Sequence, residues 1–535
     1  MAEKKKNIPL QGGIPAGAVI ITKIIGFTYR IPMGNMMGDK GNGLYSVAFG
    51  IYGIALTISS YSLPLAVSKM VSARVAKAEY QNMRRVLVSA LVYALIAGMI
   101  AMNVLYFGAG ILEGLYRKPG LARPLRVLAP TTFIVALLGV FRGYFQGHGD
   151  MVPTSVSQIM EQIVNAAISV FATWQFMHMY GESEDASSYA AAGGTLGTLA
   201  GAATALLFIM YLFGMTRQRY MNKVNPGERL ESGSSIYKAL FLTIIPVILS
   251  QTIYQIGYTI DDLMFGKLMA LHKYEIDVVT SLQGVYNTQY NQLVNLPVAI
   301  ATAMAASTLP SIGLSRMQND MKAVNQKITQ VIKVNMVIAF PSAVGLSVLA
   351  EPIMKMMFPR LVTYQQQAIM LLTVGSSAVI FYALSTLTTS ILQGHNYMRL
   401  PVIHSAVSLG VHVILLGILL VLTDLNVYAL VICNVLFPLI VSILNCIAIT
   451  RKVGYQWELV NTFLKPLLAS VAMGMVAYVM YHVFFDAFKN VYIVSCLAIG
   501  AAIIVYAVLI LQLRCFDEDE LRSIPGGRVL VRLMR

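Results

Sequence analysis

Lys23 and Arg30 stand seven residues apart in an otherwise apolar stretch, two turns of an α-helix, so they share one face and lie about 10 Å apart along its axis. Gly26 and Gly34 fall on the same face. Small residues beside two cations make a concave, positively charged strip, which suits a diphosphate and its first sugars better than a hydrocarbon. An ionisable side chain inside a membrane span costs about 2.5–3.5 kcal/mol, so it needs a water-filled cavity, a partner or a task. The plain alternative is that Arg30 snorkels to the headgroups while Lys23 pairs internally.

Further polar residues recur at helical spacing. Ser155, Gln158, Glu161, Gln162 and Asn165 form one stripe, with Arg142 near the end of the preceding apolar segment as the natural ion-pair partner for Glu161. Gln251, Gln255, Tyr258 and Asp262 form a second stripe, and Gln283, Asn287, Tyr290, Asn291 and Asn295 a third. Tyr45 and Tyr52 are again seven apart. Amides and phenols at this density can bind sugar hydroxyls and N-acetyl groups, and tyrosine rings can stack on sugar faces. They can equally hold helices together. The candidate substrate-binding set is therefore Lys23, Arg30, Asp39, Tyr45, Tyr52, Arg142, Glu161, Gln251, Gln255, Asn287 and Asn291. Asp262 is a candidate for a coupling cation, because carboxylates within spans often mark ion paths.

The elements that carry these residues are membrane helices. The 535 residues are 57% apolar and 12% charged, with a mean hydropathy of +0.68. Soluble domains carry about 25% charged residues. The apolar material divides into fourteen segments, each long enough to cross about 30 Å of hydrocarbon. They cover 14–34, 43–67, 86–111, 124–146, 154–176, 191–215, 239–262, 279–308, 329–350, 364–392, 400–422, 428–450, 464–485 and 492–514.

An even number of spans puts both termini on one side of the membrane. Roughly 25 Lys and Arg fall on the terminal side and roughly 10 on the other, which places both termini in the cytoplasm of a multi-pass protein of the cell membrane. Lys4, Lys5 and Lys6 before an apolar stretch imitate a signal peptide, but Lys23 and Arg30 within it and the lack of a small-residue cleavage site argue for a first span. The net charge of +15 reads as topology and contact with anionic lipids, with no soluble basic domain for nucleic acid.

A faint duplication organises the spans. Gln146-Gly147-His148, with Met151 and Pro153, is echoed by Gln393-Gly394-His395, with Met398 and Pro401. Leu63-Pro64-Leu65-Ala66-Val67 is echoed by Leu296-Pro297-Val298-Ala299-Ile300. The offset of roughly 235–248 residues is what six spans and their loops occupy. Six is even, which predicts two parallel-related six-helix lobes around a central cavity. The expected divisions are residues 1–238 for the first lobe, 239–463 for the second, and 464–535 for two further helices and a cytoplasmic tail. The Gln-Gly-His turns read either as helix caps or as gating elements.

The sequence holds no Gly-x-x-x-x-Gly-Lys-Ser/Thr loop, no His-Glu-x-x-His motif and no Gly-x-Ser-x-Gly elbow, so transport outranks catalysis and no metal or cofactor is expected. Cys433, Cys446, Cys496 and Cys515 have no metal-binding spacing and read as small apolar residues.

The run Lys23-Ile24-Ile25-Gly26-Phe27-Thr28-Tyr29-Arg30-Ile31-Pro32, followed by Gly38-Asp39-Lys40-Gly41-Asn42-Gly43-Leu44-Tyr45, resembles polysaccharide-transport flippases of the SpoVB/MurJ branch. That branch lies in the multidrug/oligosaccharidyl-lipid/polysaccharide (MOP) superfamily. The resemblance extends through Arg142-Gly143-Tyr144-Phe145-Gln146-Gly147 and Gln283-Gly284-Val285-Tyr286-Asn287. It implies an alternating-access flippase for undecaprenyl-diphosphate-linked sugars, in the first place lipid II, with a cationic cavity for the headgroup. It also implies that the last two helices form a groove for the lipid tail, and that membrane lipids and cell-wall synthesis enzymes are the partners. Leu44 and Tyr45 stand where an acidic residue is common in the narrower MurJ pattern, and the Gln/Asn/Tyr run of the eighth span replaces an arginine. A sporulation-type or capsule-type glycolipid exporter is thus an alternative, and a drug/cation antiporter of the same superfamily a further one.

Overall fold

The computed structural model describes residues 8–221, 227–302, 321–395 and 397–516, with side chains left undescribed at 8–16, 217–221, 246–247, 249–251, 253–256, 258 and 321–323. Among the described residues every regular element is a helix. The chain divides into two compact units, Met1–Gly284 and Val285–Arg535.

In the first unit, α1 (Ile8–Leu56) contains a break at Gly38, whose φ of 72° and ψ of 171° lie outside helical space. A left-handed φ of this kind is open to glycine without a Cβ penalty. The chain folds back there: Asn42 Nδ2 donates to the Gly34 carbonyl at 2.9 Å, and Tyr29 neighbours Tyr45. Residues that pair across the break have numbers summing to about 75, which is what an antiparallel hairpin centred near Gly38 requires. A π-helical turn (Thr57–Tyr61) leads to α2 (Leu63–Ala76). Then follow α3 (Tyr80–Tyr116), α4 (Ala122–Gly147), α5 (Val152–Tyr180), α6 (Ala186–Met221), α7 (Gly233–Met269) and α8 (Ile276–Gly284).

Two glycine seams set the packing here. On α4, Gly139, Gly143 and Gly147 recur every four residues, and a Cβ at Gly143 would lie 2.8 Å from the Pro64 carbonyl and the Val67 side chain of α2. On α6, Gly193, Gly197 and Gly201 do the same against α5; a Cβ at Gly193 would meet the Ala172 carbonyl at 2.8 Å, and one at Gly201 the Glu161 carbonyl at 2.5 Å. In a membrane, where lipid is as apolar as leucine, close backbone approach replaces the hydrophobic effect as the cause of association. The α6 seam is what brings the polar stripe of α5 into register. Around the α4 seam, Leu63, Val67, Val86, Leu87, Tyr144, Phe145, Ile209 and Leu240 form a buried core.

The second unit begins inside a helix, at a π-helical turn (Val285–Tyr290) that continues through 291–302. It contains α9 (Met321–Val348), α10 (Ala350–Met357), α11 (Gln365–Gly375), α12 (Ala378–Gly394), α13 (Arg399–Leu422), α14 (Val427–Val453), α15 (Lys465–Phe488) and α16 (Val491–Gln512). Its interior is joined by amides. Tyr290 Oη lies 3.0 Å from Asn434 Oδ1, and Asn434 Nδ2 donates to Tyr382 Oη at 3.2 Å. Asn445 Nδ2 donates to Thr388 and Thr389, and its Oδ1 faces His404 Nδ1 at 2.7 Å.

The duplicated motifs adopt matching local structure. Each Leu-Pro segment follows a π-helical turn, and each Gln-Gly-His turn ends a helix with His148 or His395 Nδ1 at 2.9 Å from the carbonyl four residues back. That geometry is helix capping.

Among the described residues nine helices are long and apolar enough to cross a membrane, or ten if α11 and α12, bent by 45°, make one span. Gly17–Ala76 counts as one of the nine, although its 60 residues contain the hairpin at Gly38. The protein is an all-α integral membrane protein. On α15 and α16 the exposed side chains include Leu468, Val471, Met475, Ile503, Ile504 and Val508, the composition of a lipid-facing surface.

Candidate functional site

The site is clearest around the first arm of α1. The side chains of Lys23 and Arg30 are not covered by the protein's own packing. Among the described residues neither has a carboxylate within ion-pair distance, whereas Lys40, Arg74, Arg123 and Arg142 all do. The polar groups acting on the Arg30 guanidinium are the hydroxyls of Tyr29 and Tyr45. The Gly38 hairpin explains the second: it returns the chain so that Tyr45, on the second arm, reaches the level of Arg30 on the first. Tyr45 is buried beside it.

Helix α5 supplies the facing wall. A Cβ at Gly26 would stand 3.0 Å from Gln162 Nε2, so the glycine admits α5 to the cationic strip. The Asn165 amide lies 3.4 Å from Tyr29 Oη and 3.0 Å from Ser169 Oγ. One turn away, Arg142 NH2 donates to Glu161 Oε2 at 2.7 Å, and its Nε donates to Ser157 Oγ at 2.9 Å. Tyr52 is buried with the Glu161 carboxylate as its charged neighbour. The rings of Tyr45, Phe49 and Tyr52 continue along the second arm, with successive centroids 4.6 and 5.8 Å apart. Of the sequence candidates, Arg30, Tyr45, Tyr52, Arg142 and Glu161 are thus gathered on adjoining faces of α1, α4 and α5, with Lys23 two turns along from Arg30.

The others fall elsewhere. Asp39 follows the hairpin break, with its carbonyl packed on Gly284 of α8. Asn287 and Asn291 belong to the second unit, where Asn291 Nδ2 donates to Asn287 Oδ1 at 3.3 Å. The side chains of Gln251 and Gln255 lie outside the described residues.

Asp262 is buried near the far end of α7. Gln283 Nε2 donates to its carbonyl at 2.8 Å and stands 3.4 Å from its Oδ1. Beside it lies Lys118, 1% exposed, whose Nζ donates to Thr280 Oγ1 at 3.2 Å. Burial pulls the Lys118 ammonium down to about 7, opposed by the charge of Asp262. Lys118 comes from the turn between α3 and α4, which in sequence is only one of several basic loop residues. Its burial follows from contact with a segment more than 140 residues away, for which the local sequence carries no signal. Tyr29 was likewise concealed, since its importance comes from the hairpin and from Asn165. Among the described residues no three His, Cys, Asp or Glu side chains gather to hold a metal.

The model of the family described as polysaccharide biosynthesis protein matches residues 12–318. The chain is 24% identical over 517 residues to Stage V sporulation protein B of Bacillus subtilis (strain 168), covering 96% of this chain and 97% of that protein. It is 26% identical over 509 residues to Lipid II flippase MurJ of the same organism, covering 91% and 92% respectively. Among solved structures it is similar to Lipid II flippase MurJ in an inward closed conformation, with a TM-score of 0.65 at 15% identity over 92% of this chain and 99% of that one. This structural likeness concerns the fold.

Proposed function

Because the chain belongs to the polysaccharide biosynthesis protein family, within the MOP superfamily, we propose that it moves undecaprenyl-diphosphate-linked sugars, first among them lipid II, from the inner to the outer leaflet of the cell membrane. A lipid-linked polysaccharide flippase of this superfamily carries out transport and is not an enzyme. The observation that carries the substrate reading is the uncompensated charge of Lys23 and Arg30. Lys40, Arg74, Arg123 and Arg142 of the first unit each pair with a carboxylate, whereas these two are exposed on one helical face with no carboxylate in ion-pair distance among the described residues. A cation at this position is stabilised when an anion arrives, and a diphosphate brings the negative charge that two such cations can share.

The tyrosines and amides on the adjoining faces supply hydrogen bonds and ring faces for the sugars. Lys23, Arg30, Tyr45 and Tyr52 are the residues we assign to headgroup binding. Arg142 and Glu161 neutralise one another and shape the wall. Both termini are cytoplasmic in this reading, from the distribution of Lys and Arg.

A second substrate reading is favoured by one feature, the Gln283, Asn287 and Asn291 amides in place of an arginine on the eighth span. A less anionic, more sugar-rich glycolipid of a sporulation or capsule pathway suits such a run. The experiment that separates the two is an accessibility assay for lipid II in cells whose resident flippase can be shut off. Restoration of outward-facing lipid II by this chain, but not by its Arg30→Ala form, supports the first reading. Well-expressed protein that restores nothing supports the second.

A further inference from the structure

Residues 228–231, which lead from α6 into α7, are bound to the start of α3 much as an extended peptide would be. Helix α3 begins at Tyr80, and its N-cap residue Glu79 makes no side-chain cap. The free N–H groups of that first turn go instead to a carboxylate far along the chain: Glu228 Oε2 accepts from Gln81 N at 2.9 Å, and Oε1 from Asn82 N at 2.5 Å. The Asn82 side chain, 1% exposed, donates through Nδ2 to the Arg229 carbonyl at 2.9 Å and accepts the Glu231 N–H at Oδ1, also at 2.9 Å. A backbone carbonyl only accepts and a backbone N–H only donates, so these partners fix which end of the amide is which. Arg85 NH1 donates to the Glu231 carbonyl at 2.6 Å, and Arg74 NH2 meets Glu231 Oε2 at 2.5 Å. In an extended chain the carbonyl of residue 229 and both backbone groups of residue 231 lie along one edge. Asn82 and Arg85, three apart, share one face of α3, so edge and face match.

We infer that residues 228–231 are a strap that fixes the first turn of α7 to the junction of α2 and α3, and that this end is the pivot about which α7 tilts as the protein works. The strap leaves no slack. Ser232 follows Glu231 directly, is the N-cap of α7, and accepts from Ser235 N at 3.2 Å. A helix held in this way can tilt about its fixed end but cannot slide along its axis. The Arg74–Glu231 pair is largely shielded, with side chains 11% and 29% exposed, and Asn82 is buried, so water does not compete freely for the bonds. Towards its far end α7 meets its neighbours across glycines. A Cβ at Gly266 would stand 3.3 Å from the Tyr116 carbonyl, and one at Gly50 of α1 would stand 3.7 Å from Asp262 Oδ2. Contacts of this kind let packed helices shift past one another where interlocked side chains would resist. Asp262 lies about 44 Å along the axis from Gly233, so a tilt of about 10° carries it about 8 Å while the strapped end stays in place. The inference concerns how the chain moves, and holds whichever glycolipid is carried.

The test is spin-label distance measurement on the full-length protein in lipid nanodiscs, with Cys433, Cys446, Cys496 and Cys515 replaced by alanine. Labels at Ala73→Cys and Ser234→Cys read the strapped end, and labels at Leu115→Cys and Lys267→Cys the far end; all four positions are exposed. The strapped pair should give a narrow distance distribution, and the far pair one at least about twice as wide. Glu231→Arg should widen the strapped pair about twofold, and Arg74→Glu added to it should narrow that pair again, because the exchanged charges re-form the tie. A general loosening of the fold would not be reversed by exchanging two charges. Should Glu231→Arg fail to fold, Asn82→Ala replaces it as the variant that cuts the strap. Equal widths at the two ends of the unaltered strap, or a strapped pair indifferent to cutting it, would overturn the inference.

Discussion

Glu161→Ala removes one partner from the Arg142–Glu161 pair, and the structure fixes how much that should matter. The arginine side chain is 12% exposed and the glutamate 28%, so the small values measured for surface pairs do not apply. Unit charges about 4 Å apart interact by about 4 kcal/mol at an effective dielectric of 20, and breaking a buried pair by deleting one partner costs about 3–5 kcal/mol. Ser157 still accepts from Arg142 Nε at 2.9 Å, and part of the guanidinium reaches water, which lowers the expected loss to about 2–3 kcal/mol. That corresponds to a fall of about 5 °C in the unfolding midpoint of purified protein in detergent. Arg142→Ala/Glu161→Ala should be more stable than Glu161→Ala alone, because no charge is left stranded. Binding of undecaprenyl diphosphate should change less than about threefold in Glu161→Ala, since the pair shapes the wall and does not meet the ligand. An unchanged midpoint in the single variant, or losses that simply add in the double, would refute the reasoning.

Gly197→Val should abolish folded protein by forcing α5 and α6 apart, while Gly214→Ala, with open space around it, should express as wild type; fluorescence-detected gel filtration reads both. Tyr290→Phe should cost about 1–3 kcal/mol, because the hydroxyl that lies between the Asn434 amide oxygen and the Gly375 carbonyl is lost, and thermal unfolding measures it. Lys118 binds its proton less tightly in the folded protein, at about 7 against an ordinary value near 10.4, so its burial is penalised most at and below neutral pH. The unfolding midpoint should therefore rise as pH goes from about 7 towards 10, and Lys118→Met should flatten that rise. An equal slope in both proteins would remove Lys118 as its cause.

The all-helical membrane character and the polar stripe of α5 were legible in the sequence because both depend on local pattern: hydropathy over about twenty residues, and polar groups repeating with helical period. The Arg142–Glu161 pair could be anticipated because both residues stand out as charges in neighbouring apolar segments. The exact neighbours of Arg30 could not. They depend on a hairpin turn at Gly38, whose glycine looks like any other in a glycine-rich loop until its φ is known. The positions of α5 and α6 depend on Gly193, Gly197 and Gly201, whose four-residue spacing matters only once the partner helix is identified. The break between the units falls after Gly284, within the apolar segment expected at 279–308, where a π-helical turn follows α8, and hydropathy carries no trace of that. Lys118 shows the same limit: a basic loop residue is ordinarily solvated, and only its contacts with α7 and α8 bury it.

The central claim is that exposed cations on α1 draw a lipid diphosphate through the protein. The most direct measurement is transbilayer movement of an undecaprenyl-diphosphate-linked sugar in proteoliposomes containing wild type, Arg30→Ala or no protein. The account predicts movement with wild type and a return to the protein-free rate with correctly folded Arg30→Ala. Equal movement by the two proteins would contradict it.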